Sequence, residues 1–179
     1  MNITPETTRA ELAAIVVQKL AEHGIKNVVL VGGSVVSLYT DNKYATRDLD
    51  FVSSADHKRL SKAMTELGFT IKGKDFVHTE TEFTVEFPSG PLGIGDDVPI
   101  SPEGVITING IDVKTLSPTQ SVMDRLINFF IYNDRQCLDQ AIWIAQKHSI
   151  EVDQLKEWAK RERYEEKLDV FLNRVSGML

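Results

Sequence analysis

Apolar residues recur along this chain at two spacings, and the places where one spacing gives way to the other outline its elements. Leu12, Ile15, Val16 and Leu20 form a helical stripe, with Thr4-Pro5 ahead of it as N-cap and first-turn proline and Gly24 behind it as a stop. An apolar run, Val28 to Val31, breaks at Gly32-Gly33, passes through a helix-compatible stretch from Ser34, and is followed by a second run that carries Asp48 and Asp50. Leu60, Ala63, Met64 and Leu67 return to helical spacing and Gly68 closes them. Short extended pieces follow at Phe69 to Ile71 and Phe76 to His78, about a turn at Gly73, and Phe83 to Phe87 alternates strictly. Asn109-Gly110 between Val105–Ile108 and Ile111–Val113 is a strong hairpin signal.

From Ser117 onward the helical period persists to the end. Ser117-Pro118-Thr119-Gln120 offers an N-cap, a first-turn proline and a capping-box glutamine, and Val122, Leu126, Phe129 and Phe130 follow as a buried stripe. Asn133-Asp134 interrupts, Asp134 serving as a cap, and Leu138, Ala141, Ile142 and Ala145 begin the next helix, on which Arg135 pairs with Asp139. Two more stripes run through Val152, Leu155 and Ala159 and through Leu168, Phe171, Leu172 and Val175. The pattern predicts an α/β (α+β) chain. A mixed, mostly antiparallel sheet flanked by helices occupies residues 1–115, and a C-terminal helical bundle, residues 116–179, packs on it.

Composition narrows the classes. The 179 residues are 42% hydrophobic and 26% charged, ordinary globular usage that argues against disorder. No apolar run approaches the roughly 20 residues of a spanning helix, and the start lacks the blocks of a signal peptide. The expectation is a cytoplasmic protein with no membrane partner. A formal charge of −6 argues against a generic nucleic-acid coat. Cys137, the single cysteine, allows no internal disulfide and reads as a small buried hydrophobe; Trp143 and Trp158 read as core anchors.

The chemistry gathers between residues 28 and 52. Asp48 and Asp50 sit two apart on a strand, so both carboxylates point one way while Leu49 and Phe51 point the other. Paired carboxylates of this kind suit Mg2+ (or Mn2+), which takes few protein ligands and completes its shell with phosphate oxygens. Gly32 and Gly33 let backbone N–H groups come close to a phosphate, and Ser34 at a helix start adds a hydroxyl. Arg47 and Lys43 each lie within reach of a triphosphate, although Arg47 has the opposite strand parity to the two aspartates.

Gly32-Gly33-Ser34 followed by Asp48-Leu49-Asp50, with Thr46-Arg47 and Phe51 flanking, resembles the signature of the DNA polymerase beta-like nucleotidyltransferase superfamily. Its small bacterial members, including relatives of abortive-infection toxin nucleotidyltransferases, are the most similar. The resemblance is best over residues 25 to 95. It implies a nucleotidyltransferase-like fold and metal-dependent transfer of a nucleoside monophosphate from a nucleoside triphosphate to an acceptor. That acceptor is an RNA, a protein or a small molecule. It also implies a third carboxylate on a neighbouring strand, for which Glu86 is the counterpart and Glu82, of equal parity, the rival. In the toxin-like enzymes a lysine and an acidic residue further on assist with the nucleotide; Lys114 and Asp124 are the candidates here. Two other roles stay open on the same fold, a non-catalytic nucleotide- or partner-binding module and one half of a toxin–antitoxin pair. Oligomeric state is left open.

Overall fold

The structure is a computed structural model and describes residues 2–177. The elements in chain order are α1 (Arg9–Glu22), β1 (Val28–Val31), α2 (Gly33–Tyr39), β2 (Asp48–Ser53) and α3 (His57–Glu66). After them come β3 (Thr70–Lys72), β4 (Asp75–Val77), β5 (Thr84–Glu86), β6 (Gly104–Ile108) and β7 (Ile111–Thr115). The chain finishes with α4 (Pro118–Tyr132), α5 (Arg135–Lys147), α6 (Val152–Glu162) and α7 (Glu165–Ser176). The strands form one mixed sheet in the order β3-β4-β5-β2-β1-β7-β6. β1 pairs parallel with β7 and β2 parallel with β5, and the other neighbours are antiparallel.

The two faces of the sheet differ as strand parity dictates. Leu30, Leu49, Phe51, Phe76, Val85 and Val113 are buried on one face, beneath helices that include α1 and α2. On the other face stand Val29, Val31, Asp48, Asp50, Val52, Thr84, Glu86 and Lys114, matched across the strands by the registers Val31↔Asp50, Val29↔Val52, Asp48↔Thr84 and Asp50↔Glu86. Fully burying Leu49 and Phe51, each 0% exposed, contributes roughly 1.5–3 kcal/mol apiece and fixes that parity. A slip by one residue would put both aspartates in the core.

Tyr39 ties α2 to the sheet and to the helical part: its hydroxyl donates to the Leu116 carbonyl at 2.8 Å, and its own carbonyl bonds His148 Nε2 at 2.8 Å. α4 starts as the sequence predicts, with Ser117 and Gln120 in a capping box, and Asp134 caps α5 through the amides of Gln136 and Cys137. Cys137 and Trp158 are buried.

Three local expectations need correcting. α1 starts at Arg9, because Thr8 and Glu11 form a capping box that satisfies two amide donors, whereas Thr4 only closes a turn to Thr7. Asp139 pairs with Arg174 of α7 at 3.1 Å instead of with Arg135, so the contact joins two helices. Lys43 stands over the Trp143 ring at 4.8 Å, and Trp143 is only half-buried.

Candidate active site

Gly32 sits where β1 ends, with φ 71° and ψ −149°, a region essentially closed to side-chain-bearing residues. A methyl there would also lie 2.9 Å from Asp50 Oδ2, so the turn backs directly onto the second aspartate. One at Gly33 would lie 2.9 Å from the Tyr44 ring. The two glycines thus let the turn close against the Asp50 carboxylate on one side and the Tyr44 ring on the other. Ser34 departs from expectation in its orientation: it is fully buried, and its hydroxyl donates to the Asp48 carbonyl at 2.5 Å. That bond ties the start of α2 to the start of β2 and occupies the hydroxyl proton.

Each acidic side chain has its own neighbour. Thr84 Oγ1 donates to Asp48 Oδ1 at 2.8 Å, and Lys74 Nζ lies 2.8 Å from Glu86 Oε2. The register sets Glu86 directly across from Asp50, while Glu82 turns outward to an exposed ion pair with Arg47 at 3.0 Å. Of the two candidates for the third carboxylate, only Glu86 adjoins the aspartates. Burial, then the charges of Glu86 and Asp48, push the Asp50 carboxyl up to about 6, against a smaller opposing pull from Lys74 and Arg125. The strands thus concentrate negative charge at one half-buried point.

Among the described residues no three His, Cys, Asp or Glu groups close around a common point. Two carboxylates suffice for Mg2+ or Mn2+ when substrate oxygens and water supply the rest. Asp48 and Asp50 fit that demand, with a shared face, a raised carboxyl that a cation would lower again, and a turn that meets the Asp50 carboxylate with no side chain between them.

Other groups frame the site that local sequence gave no sign of. Arg9, only 8% exposed, donates through Nε and Nη2 to the Thr46 carbonyl at 3.0 and 2.6 Å and through Nη1 to Asn42 Oδ1 at 2.6 Å, holding the segment that leads into β2. Arg125 on α4 is mostly buried, bonds its neighbour Asp124, and is one of the charges felt by Asp50. His78 packs against Phe69, away from the acids on β2.

The open face also bounds a cavity of about 690 Å3, covered by residues 88–92, Ile100 and Pro102. Val29, Val52, Phe87, Leu92 and Ile100 line it, with Lys114 at one edge. A smaller space of about 150 Å3 shares Val52 and residues 88–92 with it and reaches Val31 and Asp124. Val31 is the cross-strand neighbour of Asp50, so the smaller space lies beside the acidic strand. By register and strand spacing, the Cα atoms of Lys114 and Asp50 are about 12 Å apart. Lys114 therefore borders the cavity and not the glycine turn.

Comparison with known proteins bears on the fold. A family described as "Nucleotidyl transferase of unknown function (DUF2204)" matches residues 9–71, a span that contains the glycine turn and both aspartates. No curated protein matches the sequence significantly. A crystal structure of an antigenic nucleotidyltransferase-like protein from Paracoccidioides brasiliensis is similar at TM-score 0.57 and 16% identity, covering 76% of this chain and 74% of its own. The solution structure of the antibiotic-resistance factor ANT(2'')-Ia is similar at TM-score 0.51 and 15% identity, over 97% and 96%. The same protein in complex with adenylyl-2''-tobramycin gives TM-score 0.50 and 16% identity, over 94% and 99%. The chain carries the nucleotidyltransferase fold, with its glycine turn and acidic strand inside the segment matched by that nucleotidyl transferase family.

Proposed function

We propose that this protein transfers a nucleoside monophosphate from a nucleoside triphosphate to an acceptor hydroxyl, releasing pyrophosphate. The observation that carries the reading is the register of β2 with β5 and β1, which sets Asp48, Asp50 and Glu86 on one face with Gly32 against the Asp50 carboxylate. In the reaction the acceptor oxygen bonds the α-phosphorus, the bond to the bridging oxygen breaks, and pyrophosphate leaves with that electron pair. The acceptor proton passes to Glu86, which lies across from Asp50, and then to water. Asp48 and Asp50 would hold Mg2+ or Mn2+, which when bound offsets phosphate charge and makes the acceptor hydroxyl more acidic. The amides of Gly32 and Gly33 grip the outer phosphates, and Arg47 adds a charge once it leaves Glu82, at small cost for so exposed a pair.

ANT(2'')-Ia, as its complex records, is associated with an adenylylated aminoglycoside; the fold likeness supports nucleotidyl transfer here without naming this chain's acceptor. Incubation with each α-labelled triphosphate, Mg2+ and cell extract should label a discrete acceptor. Asp48→Ala or Asp50→Ala should lower the rate at least about 100-fold while the chain stays folded. A second reading, nucleotide binding without turnover, is favoured by the engagement of Glu86 with Lys74. Calorimetry showing nucleotide affinity with no labelled product from any extract would establish that reading instead.

A further inference from the structure

The 690 Å3 cavity of the open face has a one-sided chemistry. It is bounded by Val29, Val52, Leu60, Phe87, Leu92 and Ile100, and the only titratable side chains in its lining are His57 and Lys114. In a chain of net charge −6, a lining with no acidic side chain is a selective feature. Lys114 is exposed and, among the described residues, has no ion-pair or hydrogen-bond partner, so its charge is available to a ligand.

The roof is held in place. Asp97 pairs with Arg161 at 2.8 Å, the amide of Asp96 donates to Glu162 Oε1 at 2.8 Å, and Gln120 bonds the carbonyl of Ser101 and the amide of Glu103. A preformed apolar space of this volume, with a few placed polar groups, is what a small ligand requires. With a cation and no acidic side chain in its lining, it opposes a polycation.

We infer that this cavity is the acceptor site and takes a small molecule with an apolar body and one anionic group. The anion pairs with Lys114, and the reacting hydroxyl points along the connected space past Val31 toward Asp50. The inference rests on the nucleotidyl-transfer reading for its chemistry, but its binding half stands apart from turnover.

Calorimetry on the full chain without nucleotide tests it, using 8-hydroxyoctanoate, 1,8-octanediol and 8-amino-1-octanol at pH 8. The acid should bind about fivefold to tenfold tighter than the diol, and the amine more weakly than either. Lys114→Gln should erase the preference of acid over diol, and Lys114→Glu should reverse the order of acid and amine. Both substitutions replace an exposed side chain, and thermal melting checks that they fold. A Val52→Trp variant with a normal melt should weaken all three ligands by filling the space.

An amine that binds as well as the acid, or a preference unchanged in Lys114→Gln, overturns the inference. Label transfer to some acceptor by a chain that shows no acid preference also overturns it, while leaving nucleotidyl transfer standing. Acid preference with no transfer from any triphosphate supports the cavity assignment and overturns the transfer reading.

Discussion

Asp50 is the residue at which folding and function pull in opposite directions. Its carboxyl is raised to about 6 by burial and by Glu86 and Asp48, so between its ordinary value and pH 6 the folded chain holds a proton the unfolded chain has released. Stability from this group is therefore full below the unfolded value and is lost as pH rises through about 6. That rise, discounted because the group is partly exposed, amounts to about 1–2 kcal/mol. Asp50→Asn should melt higher than wild type at pH 7.5, with the gap closing toward pH 4, and should lose nucleotidyl transfer. Equal melting at both values would show that Asp50 is not strained by its neighbours. Gly32→Ala should act oppositely, losing both activity and about 1–3 kcal/mol in denaturant unfolding, because of its backbone angles and the crowded Asp50 oxygen. The shared face of Asp48 and Asp50 was legible in the sequence, since strand parity alone sets it. The inward turn of Ser34 was not, because it depends on where the Asp48 carbonyl falls after folding.

Among the elements, those with a local cause were legible. The runs at Val28 and Phe51, the Asn109-Gly110 hairpin and the Ser117 capping box each follow from spacing or turn chemistry within a few residues. Which carboxylate lies beside Asp50 required a pairing between distant strands: Glu82 and Glu86 share parity, and only the parallel register of β2 with β5 separates them. The same pairing brings Thr84 to Asp48, a bond without local signature. Thr84→Val should keep the fold, shift the melting temperature by only a few degrees, and lower turnover about 3- to 30-fold by freeing the Asp48 carboxylate to rotate. Unchanged kinetics would remove Thr84 from the site. The start of α1 was misplaced because two threonine caps compete there and only Thr8 has a glutamate three residues on; Thr8→Ala should cost about 1 kcal/mol in chemical denaturation.

At the scale of the whole molecule, the open face of the sheet carries both an acidic point and an apolar cavity, and no helix among the described residues is long and apolar enough to cross a membrane. Neither the cavity nor its roof was legible in the sequence. The ties of residues 88–102 to Arg161, Glu162 and Gln120 come from helices far along the chain. The helical part thus helps to shape the site although it supplies none of its three carboxylates. The whole account turns on which phosphorus moves. Parallel reactions with triphosphate labelled at the α or at the γ position, with Mg2+ and cell extract, should label the acceptor from the α position alone, and Asp50→Ala should abolish it. Acceptor labelled from the γ position, or α-label transfer undiminished in both Asp48→Ala and Asp50→Ala, would contradict it.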